Sequence, residues 1–322
     1  MGEPTEKLDF NKLGEHFANA DKARELLERI RWANGVICPH CKQTGAYKIT
    51  PKEGSKTRKG LWKCKACRKQ FTVTTKTIFE DSHIPLNKWL LAIHLMCSSK
   101  KGMSAHQIHR MLGIQYKSAW FMCHRIRYAM QQEPLTSMLS GIVECDETYV
   151  GGKAKNMHKS EREKKVQGRG PVGKAPVVTL VERAGRVKSI YMVDVNGENL
   201  KEAIKDCIVP TAQIMTDESP SYNFAENEFA SHETVNHKAG EYVRGDAHVN
   251  TSESVHALLK RGIIGTFHHV SKFHLHRYLS EFDFRFNNRK VKDGERTLEA
   301  IKGFEGKRLM YKDPIGKDKD VT

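Results

Sequence analysis

The chain has 322 residues, 39% of them hydrophobic and 29% charged, which is long enough for two or three domains rather than one core. Lys and Arg outnumber Asp and Glu by 54 to 38, and the resulting net charge of +16 suits a polyanionic partner, nucleic acid first. No apolar run is long enough to cross a bilayer and the start, MGEPTEKLDF, lacks the apolar core of a signal peptide, so a membrane-free, cytoplasmic protein is expected, in which eight cysteines argue for metal binding before disulfides.

Residues 6 to 32 read as a helical lead-in, with Leu8, Leu13, Phe17, Ala23, Leu26, Leu27 and Ile30 at mixed three and four spacing, and the first domain boundary falls near residue 34. Residues 35 to 76 change character. Cys38-Pro39-His40-Cys41 and Cys64-Lys65-Ala66-Cys67 bracket a turn-rich basic segment that ends in the strand-like Gln70 to Val73. Two CxxC knuckles supply the four thiolates that one structural Zn²⁺ prefers, and the metal replaces a core that so short a segment cannot build. Cys38, Cys41, Cys64 and Cys67 are therefore the zinc ligands, with His40 a neighbour, and Cys97, Cys123, Cys145 and Cys207 are buried small hydrophobes.

Residues 83 to 133 hold three helical stretches. The second opens at Ser104 with Gln107 three residues on, a capping-box arrangement, and Gly113 marks a turn. The third, Lys117 to Met130, sets Trp120, Cys123 and Ile126 against polar Lys117, Ser118, His124 and Arg125, a pattern that resembles the reading helix of a helix-turn-helix. Lys117 and Arg125 are its candidate DNA contacts; packing without any DNA contact is the alternative.

Residues 137 to 265 are strand-rich. Ser140 to Glu147 is a short apolar run ending in acids, and Val177 to Glu182 with Val187 to Asp194 flank an Arg183-Ala184-Gly185 turn as a hairpin. A helix follows, capped by Asn199 with Glu202 and stopped by Pro210. Then come a strand over Gln213 to Thr216, a further strand over His232 to Asn236, and a helix over Thr251 to Ile264 with Val255, Leu258, Leu259 and Gly262 toward the core. The order is three strands, helix, strand, strand, helix, as in an α/β domain. Residues 153 to 174 interrupt it with eight Lys or Arg against two Glu, a basic loop in which Lys153 is a candidate DNA contact. Residues 266 to 322 read as a basic, aromatic helical extension whose aromatic residues either stack on unpaired bases or, by default, pack on the sheet.

Asp146 and Asp217 each stand where a short apolar strand ends, and Glu253 opens the later helix on the same face as His256 and Lys260. Three such carboxylates suit two Mg²⁺ or Mn²⁺ ions about 3.5 to 4 Å apart, the arrangement of phosphodiester chemistry. Each acid alone also has a plain reading; Glu253 could close a cap with Asn250. Glu144, Glu147, Glu218 and Asp246 remain substitutes, and His237 and His248 either orient water or phosphate or are ordinary hydrogen-bonded histidines. Lys260, beside Glu253, and Arg261 are candidates to hold a phosphate.

CPHC and CKAC, ECDETYVGGK, TDESPSY and the long block HVNTSESVHALLKRGIIGTFHHVSKFHLHRYLSEFDFRFNNR together resemble bacterial insertion-sequence transposases of the zinc-ribbon, DDE type, the ISXO2-like proteins related to the Merlin elements. The resemblance spans roughly residues 10 to 290. It implies a ribonuclease H-like catalytic core, Mg²⁺-dependent cleavage and strand transfer of double-stranded DNA, recognition of terminal inverted repeats, a nucleoid-associated location, and a triad of Asp146, Asp217 and Glu253 holding the magnesium ions. A homo-oligomer, most simply a dimer, is expected because two DNA ends must be joined. A zinc-ribbon DNA-binding regulator with a non-catalytic scaffold, and a nuclease without strand transfer, are the competing readings.

Overall fold

The computed structural model describes residues 10–54, 57–131, 137–152, 156–165, 173–183, 185–236, 239–241 and 243–315. In chain order its elements are α1 (Phe10–Ala18), α2 (Ala20–Arg31), β1 (Ala46–Lys48), β2 (Trp62–Cys64), β3 (Gln70–Phe71), α3 (Leu86–Ser98), α4 (Ala105–Leu112), α5 (Tyr116–Met130), β4 (Ile142–Val150), α6 (Lys159–Lys165), β5 (Ala175–Glu182), β6 (Val187–Tyr191), α7 (Gly197–Lys205), β7 (Gln213–Asp217), α8 (Ala225–Glu228), β8 (Ser231–Val235), α9 (Asn250–Gly262), α10 (Lys272–Asn287), α11 (Asp293–Lys302) and α12 (Lys312–Ile315). They form two compact units: one takes the described residues of Met1–Met130 and Lys290–Ile315, the other those of Gln131–Arg289. No helix among the described residues is long and apolar enough to cross a membrane.

In the first unit the helical lead-in is two helices, because the Asn19 side chain accepts from the Asp21 and Lys22 amides and starts α2 afresh. Trp32, at the end of α2, meets Trp62 and Phe71 edge-on at 5.3 and 5.9 Å, seating the three-stranded antiparallel sheet β1-β2-β3 on the helix. Helices α4 and α5 join through Gly113 at φ 58°, a left-handed position that glycine reaches without strain, and Ser104 caps α4 by accepting from the Gln107 amide. The carboxy-terminal stretch is not one extension. Residues 290 to 315 belong to this unit: α11 packs on α3 and α5, Thr297 Oγ1 lies 2.9 Å from His94 Nδ1, and Phe304 packs against Phe79 at 5.5 Å. Periodicity could not separate them from α10, since both stretches are amphipathic and basic.

The second unit is a five-stranded sheet in the order β6-β5-β4-β7-β8, with β6, β5 and β4 antiparallel and β4, β7 and β8 parallel. With helices on both faces this is a ribonuclease H-like architecture. β5 reads APVVTLVE and is buried along nearly its whole length, as expected of a strand covered on both sides. On one face Val143, Cys145, Val178, Leu180 and Ile214 pack with Leu200 and Ile204 of α7. On the other, Val150 and Val177 meet Leu259 of α9 and Leu275, Leu279 and Phe282 of α10. The cap of α7 is Asn196, which accepts from the Asn199 amide, so the helix starts earlier than the Asn199 and Glu202 pairing suggested.

Candidate functional site

The four cysteines converge in the first unit. Cys38 and Cys64 each open a tight turn closed by a left-handed residue, Lys42 at φ 61° and Arg68 at φ 58°, so two copies of one local geometry face each other. Cys38 Sγ lies 3.7 Å from Cys67 Sγ and Cys41 Sγ 3.6 Å from Cys64 Sγ. A tetrahedron with Zn–S bonds of about 2.3 Å has edges of about 3.8 Å, so the thiols fit a zinc ion without rearrangement. All four are free of disulfides and their sulfurs lie within 4.8 Å of one another. The Cys67 amide donates toward Cys64 and lowers its pKa, while burial and the three neighbouring thiols raise that of Cys67, so the cluster sheds its protons unequally until a metal ion replaces them.

In the second unit Asp146 and Asp217 stand on neighbouring strands. β4 and β7 pair in parallel up to Glu144 opposite Met215; two residues further on, on the same face by the strand alternation, come Asp146 and Asp217. α9 crosses this face, with Leu259 against Val150 and Val177 and Val255 against Val181 and Val187. Its first turn carries Glu253, which is exposed, and its second carries His256, buried, with Nδ1 3.3 Å from Asp146 Oδ2. The sequence placed His256 with Glu253 on the free side of the helix; it instead turns in toward the sheet and Asp146. Thr179, opposite Asp146 on β5, and Ser252 are fully buried, and their hydroxyls and His256 Nε2 have no hydrogen-bond partner among the described residues. A buried polar lining beside hard carboxylate oxygens fits hydrated Mg²⁺ or Mn²⁺. The three acids are not drawn within 4.8 Å of one another as the cysteines are; a pair of ions spreads its ligands more widely than one.

The substitute acids divide. Glu147 points to the opposite face, where Tyr222 donates to it at 2.5 Å; burial, against that hydrogen bond and with Asp217 and Asp146 nearby, raises its pKa. Asp246 is exposed in the turn between Arg244 and Ala247. Glu144 is fully buried and accepts from the Thr251 amide at 2.9 Å, the Thr251 hydroxyl at 3.0 Å, the Ser252 amide at 3.1 Å and Arg183 Nε at 3.1 Å. It closes the amino-terminus of α9, whose own cap position, Val249, offers no side-chain acceptor. The acceptor for the Thr251 and Ser252 amides is thus supplied from β4 and not from the helix's own first turn.

The expected DNA contacts also divide. Lys117, with Gln115 and Tyr116, is exposed at the start of α5, and Lys260 and Arg261 are exposed on α9. Lys153 and His237 lie outside the described residues. Arg125 departs from expectation: it is buried at 4% exposure, donates to the Glu80 carbonyl at 2.5 Å, and lies over Phe121 at 4.9 Å and Trp89 at 5.8 Å. Burial lowers its pKa to about 10. His124 is buried as well, so the polar stripe of α5 packs inward below its first turn.

Residues 138–287 match the family model described as the ISXO2-like transposase domain, and residues 18–70 match the transposase zinc-ribbon domain. The second match begins upstream of the expected boundary and takes in α2, the helix on which the ribbon sheet is seated. A protein of Halobacterium salinarum described as "Uncharacterized protein in transposable element ISH50" is 31% identical over 300 residues, or 88% of this chain and 96% of that protein.

Proposed function

We propose, because the chain belongs to the ISXO2-like transposase family, that it is a DNA transposase which binds the terminal inverted repeats of an insertion sequence and cleaves and joins DNA through Asp146, Asp217 and Glu253. The observation that carries this reading is the shared face and level of Asp146 and Asp217 beneath the helix that bears Glu253. Divalent cations held by the three acids would supply Lewis acidity to the attacking hydroxyl and the leaving oxygen. Around them His256 keeps the Asp146 carboxylate oriented, and Lys260, exposed on the same side of α9 as Glu253, offers charge to a neighbouring phosphate. The zinc ribbon and the start of α5, with Lys117, are the sequence-reading surfaces; Arg125 is assigned to packing. Two copies are proposed to act together, one for each element end, which light scattering on end DNA tests.

The decisive experiment is cleavage and strand transfer on labelled element-end DNA with Mg²⁺, parent against Asp146→Asn. The parent should cut and join, and the variant should bind the same DNA and do neither. Equal cutting by both removes Asp146 from the mechanism; cleavage by the parent without joined products makes it a nuclease.

A further inference from the structure

Glu144 lies two residues before Asp146 on β4, and its carboxylate is wholly buried, yet it lacks the access a metal ligand or proton carrier needs. Its oxygens are occupied by donors from two places. Oε2 takes the Thr251 and Ser252 amides, and Oε1 takes the Thr251 hydroxyl and Arg183 Nε. Arg183 also donates through Nη2 to the His248 carbonyl at 3.1 Å, and His248 Nδ1 lies 3.2 Å from Glu144 Oε1. One side chain thus ties the strand that bears Asp146 to the first turn of the helix that bears Glu253, with Arg183 bracing the incoming loop.

We propose that Glu144 is a positioning residue that sets the distance between Asp146 and Glu253, and so the metal affinity of the acid site, by capping α9 from the neighbouring strand. The inference rests on the triad reading above. An ordinary cap lies in the helix's own preceding residue and fixes only that helix. A cap supplied by β4 fixes the helix relative to the sheet, which is the coordinate a metal site divided between helix and strand depends on.

The test uses the full-length protein and three variants, Glu144→Gln, Thr251→Val and Glu253→Gln. Amide hydrogen exchange is read at Thr251 and Ser252, Mn²⁺ binding is measured without DNA, and the Mg²⁺ dependence of cleavage is measured with it. Glu144→Gln should speed exchange at those two amides at least tenfold while Val178 and Leu180 on β5 keep their protection. It should also raise the Mn²⁺ and Mg²⁺ needed for half-saturation by about 10- to 100-fold, the range for groups that orient metal ligands, with cleavage recovering at high metal. Thr251→Val, which deletes one donor and retains both amides, should shift the metal requirement several-fold in the same direction, and it carries the test if Glu144→Gln does not fold. Parent-like exchange and metal affinity in both variants would overturn the proposal, as would faster exchange spread evenly over the sheet. If Glu253→Gln binds metal and cuts like the parent, the triad reading fails instead, and exchange at Thr251 and Ser252 still reports separately on the cap.

Discussion

The four-cysteine ribbon and the acid face hold their candidate ligands by opposite means. In the ribbon each pair of ligands comes from one short turn, and only the meeting of two turns is long-range. The apolar support is slight, chiefly Trp32, Trp62 and Phe71. On the acid face every carboxylate comes from a different element, and a core built on both sides of a five-stranded sheet holds those elements whether or not an ion is bound. On the proposed reading a metal would be part of the fold in the first case and a visitor in the second. Stability and chemistry should therefore respond to metal removal in opposite ways.

The largest expected effect follows directly. Chelating zinc, or replacing Cys64 with Ser, should abolish protection of amides across residues 38 to 71 and leave the thermal transition of the second unit unchanged, since structural zinc contributes on the order of 10 kcal/mol to so small a fold. A ribbon that keeps its amide protection without metal would erase the contrast. Removing Mg²⁺ should leave both units folded and stop cleavage, and Asp146→Asn should cost more than about 100-fold in rate, beyond the loss seen for groups that only orient ligands. Next comes Leu259→Ala, which opens a cavity between α9 and the sheet: about 2–5 kcal/mol lost in denaturant unfolding of the second unit, with zinc content unaltered.

A smaller effect concerns pH. Asp283 on α10 is buried, and desolvation lifts its pKa to about 7 although the Ser189 amide and hydroxyl both donate to it at 2.7 Å. Because the folded value lies above the unfolded one, near 3.9, the folded chain holds the extra proton between the two. The cost of Asp283 is thus absent below about pH 4 and grows as pH rises to about 7. Thermal unfolding of Asp283→Asn should show a shallower decline over that window than the parent; parallel curves would refute the assignment. The smallest effect separates two arginine and lysine roles on α5. Lys117→Ala should lower the salt slope of end-DNA binding by about one, whereas Arg125→Met should cost stability and leave that slope alone.

Much of this was legible in the chain. The ribbon was readable because its ligands are paired within four residues, and strand ends such as Asp217 because apolar runs stop there. For Arg125 the sequence leaves DNA contact and packing both open, because helical periodicity assumes one covered side, and α5 is covered by α11 as well as by its neighbours α3 and α4. Glu144 was indistinguishable from Glu147 in ECDE, since only the arrival of α9 on one face gives the first its donors and leaves the second to Tyr222. Local chemistry can be read along a chain; which face a distant element will occupy cannot.

The return of residues 290 to 315 to the first unit has a consequence for synthesis. Arg31 pairs with Glu305 at 2.5 Å, Lys307 Nζ donates to the Tyr128 and Ala129 carbonyls, and α11 lies on α3, so the amino-terminal unit is incomplete until residues 290 to 315 leave the ribosome. By then the entire sheet with its three acids has already emerged. A nascent chain broken off before residue 290 lacks α11 and the Glu305 and Lys307 contacts, and so carries its amino-terminal unit without the helix that covers α3 and α5.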